Sequence, residues 1–362
     1  MSFSAADHTF MAAALRLAER GLYTTTPNPR VGCIIVRDET TVGEGWHERA
    51  GAAHAEAHAL KAAGAAARGA TAYVSLEPCS HHGRTPPCVD ALVAAGIRRV
   101  VAAMTDPNPQ VAGSGLERLR ASGIAVDVGL METEARELNI GFVSRMTRGT
   151  PWLRLKVAAS LDGKTALNNG TSQWITGPDA RRDTHRWRAR CCAVLTGIGT
   201  VRDDDPQLTV RAVETPRQPL RVVVDSRLDI SPTARIVGDG HLLIAAAQAD
   251  AAKAGALRAL GAEIVVLPNT AGKVDLPELL RELARRGINE VHAEAGFKLN
   301  GSLLREGGVD ELLIYQAPVL LGDRARGMFD LPELTDLSGR RELVVTDRRA
   351  VGNDMRIVAR LK

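Results

Sequence analysis

"SLEPCSHHGRTPPCVDAL", residues 75–92, places Cys79 and Cys88 each directly behind a proline. A strand-like run ends at Leu76, and Cys88 stands where a helix would begin. Thiolates near helix N-termini are stabilised by the helix dipole and make ready metal ligands. Upstream, "AAHAEAHAL" (52–60) adds His54, Glu56 and His58. Two histidines four apart suggest a zinc-protease helix, but Ala55 holds the position where that motif keeps its glutamate. His54, Cys79 and Cys88 instead give zinc three protein ligands and leave a fourth position open, the catalytic arrangement. Glu56 is then the carboxylate that binds no metal and shuttles protons. His54-Ala55-Glu56 matches the H-x-E half of the base-deaminase pattern, but eight residues separate the cysteines where that pattern has two. His58, His81 and His82 are the alternative ligands. A fourth protein ligand would close the site, so His58 is expected to support the helix, and His81 and His82 to belong to a substrate-contacting loop.

The rest of the composition bounds the reading. The chain has 362 residues, enough for two domains, and 45% hydrophobic with 24% charged residues is ordinary for a globular protein. No apolar run approaches a bilayer span, and the N-terminal "MSFSAADHTFMAAALRLAERGL" lacks the basic start of a signal peptide, so the expected address is the cytoplasm. Net charge is +4 with only 3% aromatics, which argues against a nucleic-acid platform and for a small anionic ligand. Five cysteines without regular spacing are a poor disulfide framework, and Cys33, Cys191 and Cys192 read as buried core thiols.

Apolar runs at 31–37, 71–76, 98–104 and 124–129 alternate with helical segments at 5–21, 54–63, 88–95 and 114–122. This is the pattern of an α/β sheet with helices on its faces. "SRMTRGTP" (144–151), without apolar periodicity, marks the boundary between domains 1–147 and 148–362. Beyond it, strands are expected at 152–158, 193–196, 220–225, 241–246, 262–267, 289–293 and 309–316. Helices are expected at 178–190, 250–260, 275–286 and 298–306. No dinucleotide fingerprint follows a strand here. "LTGIGTVRDDDPQLTVR" (195–211) offers only a Gly turn into a short helix at Thr200, a junction that suits phosphate but is also common structural punctuation.

"HAEAHAL", "EPCSHHGRTPPC" and "NPRVGCIIV" (28–36) together resemble the bifunctional deaminase/reductase family of riboflavin biosynthesis, whose first domain carries a long loop between the cysteines. "KVAASLDGKTAL" (156–167), "SQWITG" (172–177) and "HAEAGFKLNGSLL" (292–304) are similar to its reductase half, so the resemblance covers essentially the whole chain. It implies a cytidine-deaminase-like α/β/α domain followed by a dihydrofolate-reductase-like α/β domain, one Zn2+ in the first and NADPH in the second. The implied substrate is a diaminopyrimidinone carrying a ribosylamino 5′-phosphate. It is deaminated with Glu56 moving the proton, then reduced from ribosyl to ribityl.

Carried across by position, Ala158, Trp174, Thr200, Asp204, Ser226 and Gly296 would face the cofactor, and Ser172, Arg188, Leu208, Arg211 and Glu294 the substrate. Asn28 is a candidate for bonding the pyrimidine ring, or simply a turn-former between two prolines. Arg188 and Arg211 suit a sugar phosphate, whose oxygens pair with the planar guanidinium fork. Lys156 and Asp162 are candidates for proton transfer or positioning with no catalytic step assigned to either, and Asp162 is equally a candidate for holding a turn before Gly163. No membrane or nucleic-acid partner is expected, and a homo-oligomer, dimer or tetramer, is. The rival readings are a nucleoside or nucleic-acid base deaminase with a binding module, and a non-catalytic protein with a structural zinc.

Overall fold

The computed structural model describes residues 3–81, 86–238 and 240–362. The chain divides into two compact units, Met1–Gly149 and Thr150–Lys362.

In the first unit Ser4 caps α1 (Ala5–Glu19) through a reciprocal capping box with Asp7. The apolar run of β1 (Gly32–Arg37) turns back into β2 (Thr40–Trp46), and α2 (Ala55–Ala63), β3 (Thr71–Val74), α3 (Cys88–Ala94) and β4 (Arg99–Ala102) follow. The unit closes with α4 (Ser114–Ala121), β5 (Ala125–Val128), α5 (Glu132–Leu138) and α6 (Ile140–Arg148). The sheet order is β2-β1-β3-β4-β5, with β1 antiparallel to both its neighbours and β3, β4 and β5 parallel. One core lies under α2 and α3 and another under α1, so both faces of the sheet are covered. Close approach on the α2 side requires glycine: a Cβ on Gly45 would stand 2.3 Å from the Ala55 carbonyl oxygen, and one on Gly43 2.2 Å from that of Ala59.

Two expectations need correction here. The segment 144–151 is not an irregular linker: α6 runs through it to Arg148, burying Gly141, Phe142 and Ser144, and Gly149 ends it in the left-handed conformation. The units therefore meet at Gly149 and Thr150, two residues beyond the expected boundary. Strand β2 was not anticipated because "TTVGEGW" spends positions on glycines that let α2 sit close.

The second unit contains β6 (Trp152–Ser160), β7 (Lys164–Ala166), α7 (Pro178–Arg190), β8 (Ala193–Gly197), α8 (Ile198–Asp204), β9 (Leu220–Val224), β10 (Leu242–Ala246), α9 (Ala251–Ala259) and β11 (Ala262–Val266). Then come α10 (Leu276–Arg285), β12 (Glu290–Glu294), α11 (Phe297–Arg305), β13 (Glu311–Ala317), β14 (Arg326–Gly327), β15 (Leu343–Val351) and β16 (Asp354–Leu361). The large sheet runs β11-β10-β9-β8-β12-β6-β13-β16-β15. It is parallel from β11 to β13, and the β15–β16 hairpin adds antiparallel strands at one edge. Fully buried Leu153, Leu155, Leu195, Val222 and Leu243 line the core beneath α10 and α11. Each contributes about 1.5–3 kcal/mol by leaving water. Among the described residues no helix is long and apolar enough to cross a membrane.

Candidate active sites

In the first unit His54 is the N-cap residue of α2, so its side chain projects from the helix end. Cys88 opens α3, and Cys79 lies on the loop after β3. The fold brings His54 Nδ1 to 3.3 Å from Cys88 Sγ and 3.5 Å from Cys79 Sγ. The Cys88 backbone N–H donates to Cys79 Sγ at 3.3 Å. One ligand atom from each of the three residues lies within 4.8 Å of the others, an imidazole and two sulfurs around one point. That donor set suits zinc. Hydrogen bonding from the Cys88 thiol, opposed by burial and helped by His54, lowers Cys79 to about 4, while Cys88 is pushed up beside it. A thiolate is thus favoured at the cluster, the form that binds metal.

Glu56 is buried two residues into α2, and burial first, then the Cys79 charge, raises its proton affinity. A carboxyl in that condition can both take and return a proton. His58 is half-buried one turn further on and stands outside the ligand cluster. His81 is exposed, and His82 lies outside the described residues. Cys33, Cys191 and Cys192 are buried, and burial pushes the thiols of Cys33 and Cys191 up.

The structure adds two residues that sequence reasoning missed. His47, just past β2, accepts at Nε2 from Asn28 Nδ2 (3.0 Å), with its Nδ1 3.1 Å from the Ala53 carbonyl and its ring edge-on to His54. Asn28 is therefore more than a turn residue. Glu77, immediately before Pro78-Cys79, is buried and accepts backbone N–H bonds from Asp106, Gly113, Gly115 and Leu116 at 2.8–3.4 Å. It ties the cysteine loop to the start of α4. A carboxylate adjoining the Pro-Cys step was the available signal, but its partners lie far along the chain.

In the second unit a cavity of about 1010 Å³ opens at the carboxyl ends of β8 and β12. Ala158, Trp174, Thr200, Asp204 and Gly296 line it, as do Ser172, Arg188, Leu208, Arg211 and Glu294. Ser226 does not; its hydroxyl accepts the Val274 N–H at 3.2 Å, below the end of β9. Glu294, at the end of β12, is gripped by Arg188 through Nε and, at 2.9 Å, through Nη2. Lys156 Nζ lies 3.8 Å away on the neighbouring strand. Burial opposes the charge on Glu294, but Arg188, His292 and Lys156 outweigh it and hold the carboxyl well below the ordinary range. Burial and Arg188 push the Lys156 ammonium down despite Glu294. Ser172 Oγ donates to Asp204 at 2.7 Å, and Arg181 stacks over the exposed Trp174 ring at 4.6 Å. Arg211 is braced by Gln207 and Thr209, and burial followed by Arg188 and Arg235 lowers its proton affinity. Asp162 instead holds a turn, bonded by Ser160 and the Leu321 and Gly322 N–H groups.

The model for the RibD C-terminal domain matches residues 151–357, and that for the cytidine and deoxycytidylate deaminase zinc-binding region matches residues 4–104. Riboflavin biosynthesis protein RibD of Escherichia coli K12 is 51% identical over 96% of this chain and 98% of its own length. The chain belongs to the RibD family. The RibD of Haemophilus influenzae is 45% identical over 99% of this chain and 98% of its own. A solved structure of Acinetobacter baumannii RibD superposes with a TM-score of 0.93 at 42% identity, covering 99% of both chains. A deaminase/reductase structure from Thermotoga maritima gives 0.88 at 33% identity, again with 99% of both chains covered. As a RibD, the protein is a bifunctional deaminase/reductase of riboflavin biosynthesis, with a cytidine-deaminase-like zinc-binding domain first and the reductase domain second.

Proposed function

We propose that the first unit deaminates a diaminopyrimidinone bearing a ribosylamino 5′-phosphate, and that the second reduces its ribosyl group to ribityl with NADPH. The observation that carries this is the pairing of a His-Cys-Cys cluster beside buried Glu56 with a large cavity holding an Arg-clamped carboxylate.

His54, Cys79 and Cys88 would hold the metal, which when bound lowers the pKa of water toward ~7 and supplies Lewis acidity. Glu56 carries the proton from the attacking water to the departing ammonia, help typically worth ~10²–10⁴-fold. Asn28 and His47 orient the ring beside it. In the second unit Arg211 pairs with the substrate phosphate. Glu294, kept ionised by Arg188 and Lys156, accepts from sugar hydroxyls, and Ser172 and Leu208 complete the substrate side. Ala158, Trp174, Thr200, Asp204 and Gly296 shape the coenzyme side, with Ser226 beneath it. The coenzyme, when bound, supplies hydride to the sugar C1′, and this chain supplies orientation and exclusion of water.

We assign the protein to the cytoplasm, a compartment that suits a chain with five free cysteines. We also assign it a homo-oligomeric state, supported by edge strand β15, which leaves Leu343, Val344 and Val345 exposed. Mass spectrometry after incubation with the substrate, with and without NADPH, tests the reading. A deaminated product alone, then a deaminated and reduced one, is expected. Deamination in both tubes without reduction would sink the reductase assignment. No change in either would sink the substrate.

A further inference from the structure

Alternate residues of β12, Glu290, His292 and Glu294, share one face of the sheet, as the two-residue period of a strand requires. In the parallel register they lie opposite Trp152, Arg154 and Lys156 of β6. Arg188 and Arg190 reach the same face from α7. The acids at both ends of this row are paired. Glu290 meets Arg190 at 2.8 Å and Arg154 at 3.4 Å, and Glu294 meets Arg188 and Lys156. His292 stands between them with 0% exposure, and among the described residues neither ring nitrogen has a hydrogen-bond partner. A buried polar group left unpaired is costly, and the cost is recovered when a partner closes on it.

The group within reach is Glu294. Nε2 of His292 lies 3.5 Å from Glu294 Oε1, too long for a formed hydrogen bond and short enough to close with a small rotation of either side chain. Burial, helped by Arg154 and Arg188, lowers the proton affinity of the ring against the pull of Glu294, so the ring is neutral and carries one N–H. That proton belongs on Nε2, because a lone pair there would face those of a carboxylate. The Glu294 carboxylate offers about four acceptor positions on its two oxygens. Arg188 fills one on each, through Nε at Oε1 and through Nη2 at Oε2, 2.9 Å away. His292, which does not line the cavity, faces Oε1 from the buried side. The acceptor left for a ligand is then on Oε2, the oxygen that Lys156 approaches at 3.8 Å.

We propose that His292 is a positioning residue for the reduction: its Nε2–H closes onto Glu294 Oε1 when substrate binds, so that the carboxylate meets the sugar hydroxyl through Oε2. Hydrogen bonds of this kind are often long in the empty enzyme and tighten in the complex. The proposal rests on the reading above in which Glu294 accepts from the substrate.

The test is steady-state reduction of the deaminated ribosylamino pyrimidine with NADPH, by the full-length protein carrying His292→Gln, His292→Asn or His292→Leu. Glutamine can place an amide N–H near the position of Nε2; asparagine is too short to do so, and leucine has no donor. His292→Asn and His292→Leu should each lower kcat/KM for the pyrimidine about tenfold, the size of one hydrogen bond to a charged group. His292→Gln should keep it within about threefold of the wild type. NADPH affinity, measured by calorimetry, should move by less than about threefold in all of them, which shows that the second unit is folded. In a Glu294→Gln background the first two substitutions should cost less than about twofold more, because the carboxylate they act through is gone.

Full activity in His292→Asn and His292→Leu overturns the inference and leaves the reductase reading standing. So does a loss that His292→Gln shares, or one that persists in full beside Glu294→Gln, since either would make the ring a space-filler. If His292→Leu fails to bind NADPH, the contrast between His292→Asn and His292→Gln decides alone. A wild type that does not reduce this substrate overturns both the inference and the reading beneath it.

Discussion

The side-chain amide nitrogen of Asn28 lies 3.0 Å from Nε2 of His47, while Nδ1 of the same ring faces the Ala53 carbonyl at 3.1 Å. A carbonyl can only accept, so Nδ1 carries the proton and Nε2 takes the Asn28 N–H. Burial lowers the proton affinity of His47 and agrees with a neutral ring. The pair forms a fixed polar wall next to His54, whose ring it meets edge-on.

Replacing His47 with Phe keeps the ring volume and removes the acceptor. Deamination kcat/KM should fall about 10–100-fold, because Asn28 loses the acceptor that fixes its amide beside the reacting ring. Zinc content should stay at one per chain. Full deaminase activity in this variant would remove the pair from the site.

Glu56→Gln should abolish deamination, with a loss of at least about 10²-fold, while zinc measured by plasma emission and the reductase activity both survive. Cys79→Ser or Cys88→Ser should instead lose the metal. Either serine variant retaining zinc and turnover would mean that the ligand set is wrong.

Glu294→Gln leaves Arg188 and Lys156 facing a neutral amide in a buried setting. Reduction should slow about 100-fold or more, an effect the size of a lost charge-assisted contact with its partners unpaired. Deamination, measured on the same preparation, should hold its rate.

Asp7 should contribute to the acid stability of the first unit. Burial pushes its carboxyl up, but Arg99, the Ser4 backbone N–H and the Tyr73 hydroxyl outweigh that and hold it well below the usual range. Arg99 approaches it at 2.7 Å and Tyr73 at 2.7 Å. Because the folded value is depressed, this stabilisation is complete above the unfolded value of about 4 and is lost as pH falls through the folded one. Asp7→Asn should therefore cost about 2 kcal/mol at neutral pH and progressively less toward pH 2, read by urea unfolding. An equal deficit at both pH values would assign the effect to packing instead.

Much of this was legible because buried parallel strands read as continuous apolar runs, as at "LRVVVD" and "RRVVAAM", and because helices announce themselves by caps such as Asp250 and Asp275. His54, Cys79 and Cys88 were singled out from spacing and residue type, and the fold brings their ligand atoms together. What escaped depends on contacts between distant positions. His47 meets Asn28 only because β1 turns back into β2, and Glu77 finds its N–H partners in a loop beginning at Asp106. Helix α6 escaped because it is only nine residues long and its buried residues, Gly141, Phe142 and Ser144, include a single large apolar side chain.

The close seat of α2 on β2 has an effect on mutational tolerance. Every non-glycine residue at Gly43 or Gly45 would put its first carbon about 2 Å from helix backbone, which no rotamer change relieves. The helix thus pushed away is the one that presents His54 and Glu56. In a saturation library scored separately for abundance and for deamination, these two positions should accept nothing else, although neither touches the chemistry. Neighbouring exposed Thr40 and Thr41 should vary freely. A damaging change there would masquerade as a catalytic lesion, and only the abundance score would tell the two apart.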